Sequence, residues 1–136
     1  MRLVKVDSEC PFSASSVWKL RESDDFYHFH GLKEKYQITV DKCERFQDAD
    51  GNHKMRKVIS CKLTNNPIPT AMRAIVDVTQ ITPIATLEWF LEHYDSDHAC
   101  SYSVVTPAFE KSIKVKGKQW AVNSSNDACV VCTHFT

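Results

Sequence analysis

From Lys35 onward the apolar positions recur every second residue, whereas before it they recur at helical spacing. Tyr36, Ile38 and Val40 alternate with Gln37, Thr39 and Asp41, the pattern of a strand with one buried face. A return strand is predicted over 54–63, with Met55, Ile59, Cys61 and Leu63 on one side. Between the two, Asp48-Ala49-Asp50-Gly51-Asn52 contains an Asp-Gly step, a strong hairpin signal. The run Asn65-Asn66-Pro67-Ile68-Pro69 breaks the pattern, and 70–76 reads as a short helix or a loop. A short strand follows over 78–81, ended by Pro83. A longer one over 85–94 sets Leu87, Trp89 and Leu91 against Glu88, Phe90 and Glu92. Strands over 99–106, 111–122 and 128–135 complete the chain, the last two joined by the polar turn Asn123-Ser124-Ser125-Asn126-Asp127.

The first third is different. Leu3-Val4-Lys5-Val6 opens a strand that closes at Pro11. Ser13 is a plausible N-cap for a helix over 14–21 with Val17, Trp18 and Leu20 as its apolar stripe. Ser23-Asp24-Asp25 offers a second cap, with Phe26, Phe29 and Leu32 facing one way and Gly31 as a stop. The order is strand, helix pair, then six or seven strands on short turns. That is an α+β domain built on a curved antiparallel meander.

Composition narrows the partners more than the chemistry. The 136 residues fit one domain, 43% hydrophobic and 25% charged. Seventeen basic side chains match seventeen acidic ones, so no global field draws in nucleic acid, and no nucleic-acid partner is expected. Charges stand where a signal peptide needs an apolar run, so a cytoplasmic location and reduced thiols are expected for the six cysteines.

Three local features carry a family likeness. Pro11-Phe12-Ser13 leads into a helix with Val17-Trp18; Ser23-Asp24-Asp25-Phe26-Tyr27 forms an elbow. Lys116-Gly117-Lys118-Gln119-Trp120-Ala121-Val122 precedes Ala128-Cys129. With the strand order, these resemble the START-like (SRPBCC, helix-grip) superfamily and its START-related lipid-transfer domains. The resemblance implies a curved sheet around a hydrophobic cavity, ligands such as sterols, phospholipids, polyketides or hormones, and a carrier, not an enzyme. It also implies a long C-terminal helix, which does not occur before Thr136. The expectation is therefore a single START-like domain over 1–136 that is C-terminally truncated.

The inward-facing set is expected to include Tyr36, Ile38, Val40, Ile59, Cys61, Leu63, Leu87, Trp89, Leu91, Val104, Ile113 and Val115. Read plainly, these form the core against the helix pair. Read functionally, Ile38, Val40, Ile59, Leu63, Leu87, Trp89, Leu91, Val104 and Val115 line a ligand cavity, since such pockets are mostly apolar. Lys114, Lys116 and Lys118 share one face at strand period. They are either edge protection or a transient contact with an anionic membrane surface.

The remaining clusters are weak. Cys129, Cys132 and His134 suggest a metal, but on a regular strand Cys129 and Cys132 point to opposite faces, so no metal site is expected. His28 and His30 do not share a helix face. Cys100 beside His98 is only a sequence neighbour pair, and neither a catalytic residue nor a cofactor is expected. Three functions follow: binding, with transport as its extension, of a hydrophobic ligand such as a lipid or sterol on the concave sheet face; non-enzymatic protein interaction; or an enzyme of the same superfamily, such as a cyclase or hydrolase. The last would need an inward acid/base pair that the sequence does not supply. The second would use the uncovered sheet face or the terminal strand, in a homodimer or with another protein.

Overall fold

The computed structural model describes residues 2–27, 35–75, 81–108 and 111–136. Expectations for His28, Phe29, His30, Gly31, Leu32 and residues 78–80 lie outside them. The strands are β1 (Val4–Cys10), β2 (Tyr36–Gln47), β3 (His53–Leu63), β4 (Ile84–Phe90), β5 (Cys100–Ala108), β6 (Lys111–Ser125) and β7 (Ala128–Phe135). They form one curved antiparallel sheet in the order β1-β7-β6-β5-β4-β3-β2. Every neighbour from β2 to β7 is a sequence neighbour. Only β1 joins from a distance, pairing with β7 from Val4↔Phe135 to Cys10↔Cys129.

The α+β reading therefore stands. The β2–β3 hairpin turns at 48–52, where Gly51 takes φ 84°, a conformation open to glycine at little cost. The Asp48 carboxylate accepts from the Asp50 and Asn52 amides, which closes the turn and lowers its pKa, the Asn52 bond most of all.

Five expectations need correction. The strand read over 85–94 is β4, Ile84–Phe90: past Phe90 the chain turns off the ladder, because the Tyr94 carbonyl accepts from the Ala121 amide and its ring packs near Trp18. Leu91 is thus a loop residue. Ile81, read as a strand end, is not in a strand. The last hairpin is tighter than expected, since β6 runs to Ser125 through an irregularity between Asn123 and Ser125. Strand β6 lies between β5 and β7, so Lys116 and Lys118 do not guard a sheet edge, whereas Lys114 lies on the stretch of β6 that runs past the end of β7 at Gly117↔Phe135. The terminal strand β7 is paired on both sides, by β6 and β1, so it offers no free edge to a partner. The edges are β1 and β2.

One face of the sheet, the inner face, is partly covered by α1 (Ala14–Lys19). Ser13 caps this helix, accepting from the Ser16 amide. Two long-range bonds seat it. The Ala14 amide donates to Asn123 Oδ1 at 2.8 Å, and Trp18 Nε1 donates to the Phe90 carbonyl at 2.7 Å. A 3-10 turn at Leu20–Glu22 follows, and residues 24–27 are helical. So the expected helix over 14–21 divides into α1 and this turn.

Candidate functional site

Strand alternation and the pairing register place Ile38, Val40, Met55, Lys57, Ile59, Cys61, Leu63, Leu87, Trp89, Val104 and Val115 on the inner face. That face has two halves. Under α1 it is packed shut: Ala14, Trp18, Met55, Trp89, Cys100, Ala121 and Cys129 form one buried cluster. Trp89 is 0% exposed and Trp18 2%.

Toward the other end, Tyr27, Ile38, Ile59 and Ala85 form a second buried cluster, flanked by Val40, Cys61, Leu87 and Val104. Here the helical segment and the sheet do not close on each other. A hollow of about 560 Å³ opens between Val17, Leu20, Phe26 and Tyr27 on the helical side and Ile38, Ile59, Cys61, Leu87 and Val131 on the sheet. Its volume is within the range of small-molecule sites, and its wall is mostly apolar.

Of the nine expected cavity residues, Ile38, Ile59 and Leu87 line this hollow, and Val40 and Val104 pack beside them. Leu63 is displaced to a smaller recess of about 120 Å³ with Tyr36, Pro67 and Pro83. Trp89 and Leu91 belong to the packed half. Val115 is half-buried opposite Val104.

The polar groups at this site were not anticipated. Lys57 is 0% exposed, at the boundary between the two halves, and its Nζ donates to Asp24 Oδ1 at 2.9 Å. The ammonium also sits 4.7 Å from the centre of the Tyr27 ring. Together these tie the 24–27 segment over β3. The signal was present: alternation through Met55 and Ile59 turns residue 57 inward, and a lysine there demands a partner. Arg21 lines the hollow, with its guanidinium 4.4 Å above the Trp18 ring. Burial pushes the Tyr27 phenol up to about 12, with Arg21 opposing the shift.

The thiols share that tendency. Cys61, in the hollow's wall, and Cys100, in the packed half, are both pushed up by burial. His98 is exposed and pairs with Asp97 at 3.4 Å, far from activating Cys100 by any hydrogen bond. In β7, Cys129 is buried on the inner face while Cys132 and His134 face outward. His134 meets the Trp120 ring edge-on at 4.7 Å. Among the described residues no group of three His, Cys, Asp or Glu could hold a metal.

The outer face is polar. Glu88 accepts from Lys54 at 2.9 Å and from Arg56 at 2.9 Å, and Arg56 also reaches Glu44. Burial raises the Glu88 pKa, but these two cations outweigh it and hold the carboxyl below its usual range. Lys114, Lys116 and Lys118 are exposed on this same face. No described helix is long and apolar enough to cross a membrane.

The architecture has known counterparts. Norcoclaurine synthase from Thalictrum flavum superposes with a TM-score of 0.51 at 12% identity, covering 98% of this chain and 67% of that one. The chain has an α+β, helix-grip-like fold. Ara h 8.0201 gives a TM-score of 0.47 at 14% identity over 98% of this chain and 76% of that one. The Zhui aromatase/cyclase from Streptomyces sp. R1128 gives 0.41 at 12% identity over 99% and 67%. At such identities the likeness fixes the fold alone. No family model matches the sequence, and no curated protein is a recognisable relative.

Proposed function

We propose that this chain binds a hydrophobic small molecule, a lipid or sterol, in the hollow between its first helical segments and the inner sheet face. The observation that carries this is the division of that face. One half is packed shut by α1, while the other keeps about 560 Å³ open behind an apolar wall. The reading is of a carrier, not a catalyst. The titratable groups of that wall include a phenol pushed up to about 12 and a thiol pushed up by burial, both poor at moving protons near neutrality. The resemblance to START-related lipid-transfer domains points the same way.

Native mass spectrometry after gentle purification, followed by a lipid and sterol panel, tests it. Co-purified ligand, or binding that Ile59→Trp blocks by filling the hollow, is the expected result. No ligand and no binding across the panel would overturn it. Lys114, Lys116 and Lys118 suit a transient docking contact at about 1 kcal/mol per charge near an anionic surface. Vesicle flotation with and without phosphatidylserine checks that part.

A second reading is favoured by one observation. On the inner face, the edge strand β1 leaves Val4 40% and Val6 44% exposed. A second copy covering this strip would make a homodimer. Light scattering across a concentration series decides: a strict monomer removes this reading.

A further inference from the structure

Among the described residues lining the hollow, Arg21 carries the only side-chain nitrogen that is buried without a hydrogen-bond partner. We propose that the hollow takes an apolar molecule carrying a single carboxylate, and that Arg21 receives that carboxylate. This rests on reading the hollow as a binding site and names the class of ligand it selects.

The charge arithmetic around Arg21 is specific. The neighbouring acids are already committed: Glu22 pairs with Arg45 at 3.6 Å, and Asp24 pairs with Lys57 at 2.9 Å. No carboxylate among the described residues lies within ion-pair distance of Arg21. One terminal nitrogen donates only to the Cys100 thiol sulfur at 3.7 Å, a weak acceptor. Its Nε is shut off from solvent without any partner. A buried donor with no acceptor costs about 1–3 kcal/mol, more when charged, so the protein leaves this guanidinium uncompensated, and an acceptor arriving in the hollow would meet its terminal nitrogens.

Geometry fixes where that acceptor comes from. The residue sits on the 3-10 turn Leu20–Glu22, and stacking on Trp18 holds its plane in place. Its open side borders the same hollow as Leu20, Phe26, Ile38 and Leu87. A planar guanidinium fork matches a carboxylate in two parallel hydrogen bonds, which a neutral alcohol cannot reproduce. An apolar tail against the sheet with its carboxylate at Arg21 would satisfy both surfaces at once.

Decanoate and decanol share a tail and differ in the head, which makes them the decisive pair. Their affinities at neutral pH can be read by displacement of the neutral dye Nile red and by calorimetry. The expected result is decanoate about tenfold tighter than decanol, as one charge-assisted contact predicts. Arg21→Met, which keeps the apolar stem, should bring that ratio close to one, with the melting temperature reporting that it is folded. Arg21→Lys should keep part of the preference. Equal binding of the two by the unaltered protein, or a preference that survives Arg21→Met, overturns the carboxylate assignment while the hollow stays a binding site. Failure of both molecules to displace Nile red removes the binding reading as well. The comparison on the unaltered protein decides even where a variant does not fold.

Discussion

The two halves of the inner face are built from the same strands and do opposite things. Under α1 the sheet meets a helix at close range, pinned by the Trp18–Phe90 and Ala14–Asn123 bonds, and the space is filled by Trp89 and its neighbours. Elsewhere on the same sheet, Ile38, Ile59 and Leu87 face a helical segment that the Lys57–Asp24 pair ties over β3 at a single point, and a hollow remains. Apolar residues alone thus do not make a core. What decides is how near the opposing element is held.

Trp89→Ala is the harshest way to break that comparison. It removes a fully buried tryptophan from the packed half and should cost about 3–5 kcal/mol in urea unfolding, because little can collapse into the space. Ile38→Ala, at the wall of the hollow, should cost near the lower end of the aliphatic range, about 2 kcal/mol, since part of its surface already faces open space. Equal costs at the two positions would mean that the halves are packed alike.

The tether is the next test. Asp24→Asn leaves the Lys57 ammonium buried beside a weaker acceptor and should cost about 1–3 kcal/mol, moderated by the exposure of Asp24. Lys57→Met removes the buried charge together with its need for a partner and leaves only the solvent-exposed Asp24 behind, so it should cost less than Asp24→Asn. Thermal unfolding of the two variants and their double mutant separates these. If Lys57→Met is the more damaging change, the lysine does more than hold Asp24.

Gly117 sharpens the sheet side of the contrast. A methyl group there would meet Tyr102 Cζ at 2.3 Å and the His134 carbonyl oxygen at 2.7 Å. The ring could swing away but the carbonyl belongs to the paired strand β7. Gly117→Ala should therefore cost about 1–3 kcal/mol, the range for overpacking, in chemical denaturation. The same substitution should loosen Tyr102, read as a blue-shifted or quenched near-ultraviolet dichroism signal.

Much of this fold was legible before any coordinates. Period-two alternation gave β2, β3 and the β2–β3 turn, because one buried face imprints itself on every second residue. Two features were not legible. Strand β1 pairs with β7 across nearly the whole chain, a contact that no local pattern encodes, and without it the terminal strand looks like a free edge. The second is the hollow itself. Ile38 and Trp89 carry the same apolar mark in sequence, and only the distance to the helical segment tells a cavity wall from a core. Lys57 and Arg21 were passed over for a related reason: a cation reads as solvent-facing until its partner, Asp24, or its confinement, beside Trp18, is seen.

The gentlest tests are titrations, one for each face. Tyr27 has a folded pKa raised above its ordinary 10.0 to about 12 by burial, so the neutral phenol is favoured in the folded state. The stability this reflects is whole below pH 10 and is lost as pH rises toward 12. Glu88 is depressed, so its contribution is whole above its ordinary 4.5 and is lost as pH falls through the folded value. Glu88 is more than a quarter exposed, and solvent screening keeps its pairs with Lys54 and Arg56 to about 0.2–1 kcal/mol each. Unfolding curves should therefore weaken at both ends of the pH scale for different reasons. Tyr27→Phe should flatten only the alkaline limb and Glu88→Gln only the acid limb. An apolar ligand in the hollow would bury Tyr27 further and move its ultraviolet titration upward while leaving the acid limb untouched. A Tyr27 that titrates near 10 would mean that water reaches the ring, and the helical segment would then stand too far from β3 to wall a hollow at all.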